Sequence, residues 1–171
     1  DIYSVNVQKG SKRLIGRSYR TARTWSVNGK WAVMYDPIAQ VWNKFDGATG
    51  KVVNISDAIG YPMFMESYDK PAPAPAYGIA GWTADGNNVF LYDAYDWWKI
   101  DLTGERQPEC LTKGYGRKHG KSIRKMTSNI DKDVFQKDEK VIVSLWDKDT
   151  MDEGVYQLDM KGRLRKLMEG N

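Results

Sequence analysis

The sequence predicts an all-β chain, a partial β-propeller of about three and a half four-stranded blades. Three observations carry the prediction. A hairpin phrase recurs four times, a second turn phrase stands ahead of three of those copies, and 12% of the residues are aromatic, with seven Trp and ten Tyr. Flat and β-branched side chains pack well on a pleated surface, which favours strands.

The hairpin phrase is an apolar or aromatic strand end, then Asp or Asn, then a Gly. Its copies are Ile2-Tyr3-Ser4-Val5-Asn6 with Gly10, Trp42-Asn43-Lys44-Phe45-Asp46 with Gly50, Trp97-Trp98-Lys99-Ile100-Asp101 with Gly104, and Val155-Tyr156-Gln157-Leu158-Asp159 with Gly162. Asp or Asn opens such a turn by bonding its local backbone, and Gly accepts the positive φ that closes it. The chain then returns through Lys12–Ile15, Lys51–Ile55, Pro108–Leu111 and Arg163–Leu167, polar enough for outer strands.

The second phrase reads Trp25-Ser26-Val27-Asn28-Gly29, Trp82-Thr83-Ala84-Asp85-Gly86 and, more loosely, Phe135-Gln136-Lys137-Asp138-Glu139. Each copy leads into an apolar run: Trp31–Asp36, Val89–Asp93 and Val141–Asp147. These runs are short and rich in β-branched and aromatic residues, as buried strands are. Each complete unit therefore has four strands.

The spacing from Asn6 to Asp46, Asp101 and Asp159 is 40, 55 and 58 residues, near the period of propeller blades, with the excess in the connectors. A sandwich also has many short strands but gives no reason for one phrase to recur at one place in each unit. Residues 1–171 read as a single domain: an outer hairpin over 1–17, blades over 21–57, 77–112 and 132–168, and connectors over 58–76 and 113–131. Three and a half blades do not close a ring, so the end faces are expected to need cover, from a second copy or from further chain.

The connectors have their own chemistry. Pro71-Ala72-Pro73-Ala74-Pro75 reads as an extended surface linker, because proline fixes φ and removes a donor. Lys113 to Lys125 holds six Lys or Arg residues, three glycines and no acid, and reads as a flexible basic loop.

Composition narrows the function classes. Twenty-six basic against 22 acidic residues give a net charge of +4, too even to announce nucleic acid. Cys110 is the sole cysteine, which rules out an intrachain disulfide and a cysteine-rich metal site. No run of eighteen apolar residues occurs, as a spanning helix would need.

The stretch Tyr77-Gly78-Ile79-Ala80-Gly81-Trp82, through Tyr92-Asp93-Ala94-Tyr95-Asp96-Trp97-Trp98-Lys99-Ile100-Asp101, to Leu111-Thr112-Lys113-Gly114-Tyr115-Gly116-Arg117-Lys118 resembles the N-terminal propeller of bacterial prolyl oligopeptidase-like serine peptidases. The likeness is strongest to the large members from Bacteroides-type bacteria, and the Trp-Asp-Gly phrases are also Tol-B-like. The resemblance implies a propeller that caps a separate hydrolase domain and screens its substrates, in a periplasmic or secreted setting. It does not bring catalysis to these residues. No Gly-x-Ser-x-Gly elbow occurs; Gly16-Arg17-Ser18-Tyr19-Arg20 comes nearest and lacks the second glycine that the strained turn requires. No Glu-Glu motif is found to receive the family's substrate-anchoring acids.

Candidate sites are few. His119, the only histidine, lies beside Lys118 without a nucleophile to serve, so a solvated loop residue is expected rather than a catalytic base. Asp147 to Gly154 offers four carboxylates, but without the spacing of a twelve-residue calcium loop, and a hairpin turn is expected. Tyr115, Arg117, Lys118 and His119 are the candidate binding residues, with a basic side for anions and a ring for stacking. One such loop is a small footprint for nucleic acid. The recurring Trp42, Trp97 and Tyr156 are expected in the core.

The expectation is a non-catalytic propeller segment with no cofactor and no metal site. Its partner would be the peptide or protein substrate of a peptidase domain outside these residues, and no membrane is involved. A stand-alone module binding a protein or peptide is the alternative.

Overall fold

The computed structural model describes residues 2–16, 23–126 and 133–169. The chain is a partial β-propeller, built of successive antiparallel sheets. A hairpin of β1 (Ile2–Val5) and β2 (Lys12–Gly16) comes first. The next sheet runs β3 (Arg23–Trp25), β4 (Trp31–Asp36), β5 (Val41–Asp46) and β6 (Val52–Asn54) in sequence order. The third runs β7 (Ile79–Thr83), β8 (Asn88–Tyr92), β9 (Trp97–Asp101) and β10 (Glu109–Cys110).

The repeated turns form as their residue types dictate. Asn6 Oδ1 accepts from the amides of Gln8 and Lys9, and Asp46 Oδ1 accepts from those of Ala48 and Thr49. Asp101 accepts from Thr103 N and Arg106 N, and Asp159 from Lys161 N and Arg163 N. Gly10, Gly50, Gly104 and Gly162 follow with φ of 64, 74, 85 and 80°, the left-handed region that glycine enters without cost to a Cβ.

The last sheet differs from the sequence expectation. Residues 113–125, read as a flexible loop, hold one helical turn, α1 (Tyr115–Lys118), and the strand β11 (Lys121–Lys125). β11 is the first strand of a sheet completed by β13 (Lys140–Asp147), β14 (Glu153–Asp159) and β15 (Leu164–Glu169). The pair Val134–Phe135, expected to end that first strand, is instead β12, which joins the edge of the preceding sheet parallel to β7. Its backbone is tied there by Trp82 N to Asp133 O at 2.6 Å and Ala84 N to Phe135 O at 3.0 Å. β11 hides from a period-two reading because Arg124 takes part in its packing.

The core lies between sheets. One apolar cluster joins Ile15 to Ala32, Met34 and Phe45; a second joins Trp31, Val33 and Trp42 to Trp82, Val89 and Leu91; a third joins Phe90 and Trp97 to Ile123, Val143 and Leu158. Each sheet is thus buried against the next, which is how stacked blades remove apolar area from water. Trp42 and Trp97 are both fully buried, as their repeat positions predict, whereas Tyr156 is half-buried.

The outer strands close alike in two blades. Trp42 N donates to Ser56 Oγ at 2.9 Å and Trp97 N to Thr112 Oγ1 at 3.2 Å. The proline linker crosses the surface and is pinned by Tyr35 Oη donating to Ala74 O at 2.9 Å. Gly16 to Arg20 lies mostly outside the described residues.

Candidate functional site

Antiparallel strands put the second-to-third-strand turns and the blade connectors at one end of the molecule. In the blade of β7 to β10 that end is organised by two buried aspartates. Asp93 and Asp96, 0% and 1% exposed, close the turn between β8 and β9. Asp93 Oδ1 accepts the amides of Tyr95 at 2.7 Å and Asp96 at 2.6 Å, and its Oδ2 accepts Trp98 Nε1 at 3.1 Å and Arg117 Nη2 at 3.0 Å. Four donors stabilise the buried charge that desolvation would otherwise forbid.

Asp96 reaches the other way. Its carboxylate accepts Thr112 Oγ1 at 2.6 Å and the amides of Gly116 and Arg117 at 2.9 and 3.0 Å. Gly114, before α1, offers no side-chain cap, so Asp96 supplies the acceptor those amides need. A Cβ on Gly116 would lie 2.6 Å from both Tyr95 O and Lys121 O, so glycine permits the helical turn to sit against the blade.

Two arginines complete the end. The Arg117 guanidinium, paired with Asp93, stacks 3.8 Å over the Tyr61 ring and 5.0 Å from that of Tyr95. Burial opposes its charge, but the Asp93 hydrogen bond and charge outweigh this and raise its pKa. Arg124 donates to the carbonyls of Ile123, Asp93 and Ala94 and faces the Tyr92 and Tyr77 rings at 4.7 and 5.5 Å. Burial lowers its pKa and pushes the Tyr92 hydroxyl up to about 12. For Arg124 these cation–aromatic contacts hold charge in a largely dehydrated setting, whereas Arg117 stays partly exposed.

The structure therefore divides the sequence candidates. Tyr115 and His119 stack with ring centroids 4.4 Å apart, and Lys118 and His119 are exposed beside them. Arg117 is committed inward to Asp93, a positioning role for the surface around it. Lys148, from the turn between β13 and β14, lies 4.8 Å over Tyr95 and adds a cation to the same face. That acidic stretch forms the expected hairpin turn, with Asp147 Oδ1 accepting the amides of Asp149 and Thr150.

Sequence reasoning missed Asp93, Asp96 and Tyr61 as organisers. Asp-Ala-Tyr-Asp at the strand end was the available signal. The partners, 16 to 24 residues away, were not readable from it. Chemically the face offers cations and aromatic edges for an anionic or aromatic partner. Cys110 is half-buried, and burial raises its thiol pKa, which disfavours the thiolate.

No protein-family model and no curated protein sequence matches the chain. Among solved structures it is similar to a protein assigned as TolB from Agrobacterium tumefaciens, with a TM-score of 0.51 and 16% identity over 95% of this chain and 55% of that one. It is also similar to a calcium-binding protein, regucalcin, from the same organism, with a TM-score of 0.38 and 10% identity over 87% of this chain and 42% of that one. The first likeness shows the propeller fold, and the chain spans about half the length of these two proteins. Among the described residues no helix is long and apolar enough to cross a membrane.

Proposed function

We propose that the chain is a section of the non-catalytic propeller that gates substrate entry in a prolyl oligopeptidase-like serine peptidase. The observation that supports this reading is the blade of residues 77–118. The stretch whose sequence carries the resemblance supplies four consecutive strands of one sheet and the helical turn after them, which Asp96 ties to the β8–β9 turn. The periplasmic or secreted setting belongs to the same reading, and so does a peptide or protein substrate passing the Lys118, His119 and Lys148 face.

The full-length native protein tests it. Treatment with a fluorophosphonate should label a serine on the polypeptide that carries these residues, and short proline-containing peptides should be cleaved in preference to folded proteins. A native polypeptide that takes no label and cleaves no such peptide would overturn the reading.

The second reading is a stand-alone module that binds a protein or peptide partner. The exposed Lys118, His119 and Tyr61 around the anchored Arg117 favour it. An acidic or aromatic peptide bound by the chain itself, and released by Lys118→Glu with Lys148→Glu, would support this form.

A further inference from the structure

The two complete seams between blades are built differently at the end opposite the Asp93 cluster, where the first-to-second and third-to-fourth strand turns lie. In the seam between the β3–β6 and β7–β10 sheets, Asn28 Nδ2 donates to Asp85 O at 2.8 Å and Lys44 Nζ donates to Leu102 O at 2.6 Å. A Cβ on Gly86 would come within 2.8 Å of Asn28, so the turns there are in close contact. With a longer contact from Asn28 Nδ2 to Asn87 Oδ1 at 3.4 Å, these cross-blade hydrogen bonds shut the seam.

The repeat puts other residues in those places at the next seam. Asn28 is replaced by Asp85, whose carboxylate is acceptor-only and has no N–H to give a neighbouring carbonyl. Lys44 is replaced by Lys99, and Leu102, fully buried, is replaced by the half-buried Met160. Meanwhile β12 leaves its own blade to pair with β7. A cavity of about 550 Å³ results, bounded by the turns of both blades, with Phe90, Phe135 and Met160 in its wall. That volume suits a small molecule.

The charge around it is uneven in availability. Lys99, Arg106, Lys137 and Lys161 line the cavity, and none is within ion-pair distance of a carboxylate among the described residues. Two of the three lining acids are already engaged. Asp85 accepts from Thr83 Oγ1 at 2.6 Å and Asn87 N at 2.9 Å, and Asp101 from Thr103, Glu105 and Arg106. Their depressed pKa values keep both charged, so with Glu105 three carboxylates stand against four cations. The lining therefore keeps an excess of one positive charge, which favours an incoming anion.

We infer that this cavity binds a small organic anion, a carboxylate or phosphate ester whose charge meets Lys99 and whose apolar body lies against Phe90, Phe135 and Met160. The inference stands apart from the gating and partner readings, which concern the opposite end of the blades.

The test is amide-resolved NMR titration of the whole chain with phenyl phosphate, benzoate and inorganic phosphate. The site predicts saturable shifts at Lys99, Thr103 and Phe135 with one or both aromatic anions, and at least tenfold weaker binding of inorganic phosphate; the aromatic arm that saturates distinguishes ester from carboxylate. Lys99→Met should weaken the effect about tenfold, equivalent to about 1.4 kcal/mol, and Met160→Trp, which fills the cavity, should abolish it. Both variants are checked for an unchanged urea midpoint, and Lys9→Met, exposed in the first hairpin, should bind as the parent does. No saturable shift with either aromatic anion, or shifts centred on Lys118 and His119, would overturn the inference.

Discussion

The indole N–H of Trp97 donates to the carbonyl of Ile123 at 3.2 Å, a hydrogen bond that crosses from one blade to the first strand of the next. Trp42, at the same repeat position and equally buried, has an indole N–H with no hydrogen-bond partner among the described residues. Trp97→Phe therefore loses volume and a buried hydrogen bond, and leaves the Ile123 carbonyl to Arg124 Nη1 alone. Trp42→Phe loses the volume but removes an orphaned donor. Urea unfolding should show Trp97→Phe costing about 1–2 kcal/mol more than Trp42→Phe. Equal costs would show that the cross-blade bond contributes nothing.

Asp96→Asn should release α1 from the blade. An amide has one acceptor oxygen where the carboxylate has two, and its NH₂ would face donors at Gly116 and Arg117. The expected cost is about 1–3 kcal/mol. The local signature is faster hydrogen exchange at the Gly116 and Arg117 amides, with the β13–β14 amides unchanged.

Acid and alkali should act on different groups. Five turn carboxylates, Asp46, Asp85, Asp101, Asp147 and Asp159, have depressed pKa values. Backbone hydrogen bonds lead the causes at Asp46, Asp147 and Asp159, and the Thr83 hydroxyl leads at Asp85; at Asp101 burial opposes and hydrogen bonds from Thr103, Arg106 and Glu105 prevail. A depressed folded value means that the unfolded chain binds protons first as pH falls. Their contribution is complete above the ordinary carboxylate pKa, about 4, and is lost below it. Tyr92 has the opposite sense, since burial lifts it from 10 to about 12. The unfolded chain deprotonates first, so stability should fall between those values as pH rises. Tyr35, also lifted to about 12, and Tyr77, raised by burial, share that alkaline limb. Denaturation midpoints against pH check both limbs, and Tyr92→Phe should reduce the alkaline one without removing it.

The far face of the last sheet leaves Ile142, Trp146 and Met168 at 38, 36 and 62% exposure. Apolar area grouped in this way favours contact with another surface. Sedimentation velocity should show association of the isolated chain that rises with concentration and falls on Trp146→Glu. A monomer at every concentration would remove the second copy as a cover for this face.

The parts of the fold legible in sequence are those written in short range. Asn6, Asp46, Asp101 and Asp159 bond amides two to five residues away, and their glycines follow at once, so the hairpins could be read directly. β11 was hidden because Arg124 is buried by facing Tyr92 and Tyr77, which come from 32 and 47 residues upstream. The Asp93 and Asp96 hub was hidden for the same reason. The cavity depends on an Asn-to-Asp change between repeats and on β12 changing sheets, and only the first was visible as letters.

Side-chain NOEs across the seams test the stacked-blade arrangement most directly. The account predicts contacts of Phe45 with Ile15, of Trp42 with residues of the β7–β10 sheet, and of Trp97 with Ile123 and Phe135, with none between the β3–β6 and β11–β15 sheets. Direct contacts of Trp42 or Phe45 with Val143 or Leu145, as two layers face to face would give, would contradict it.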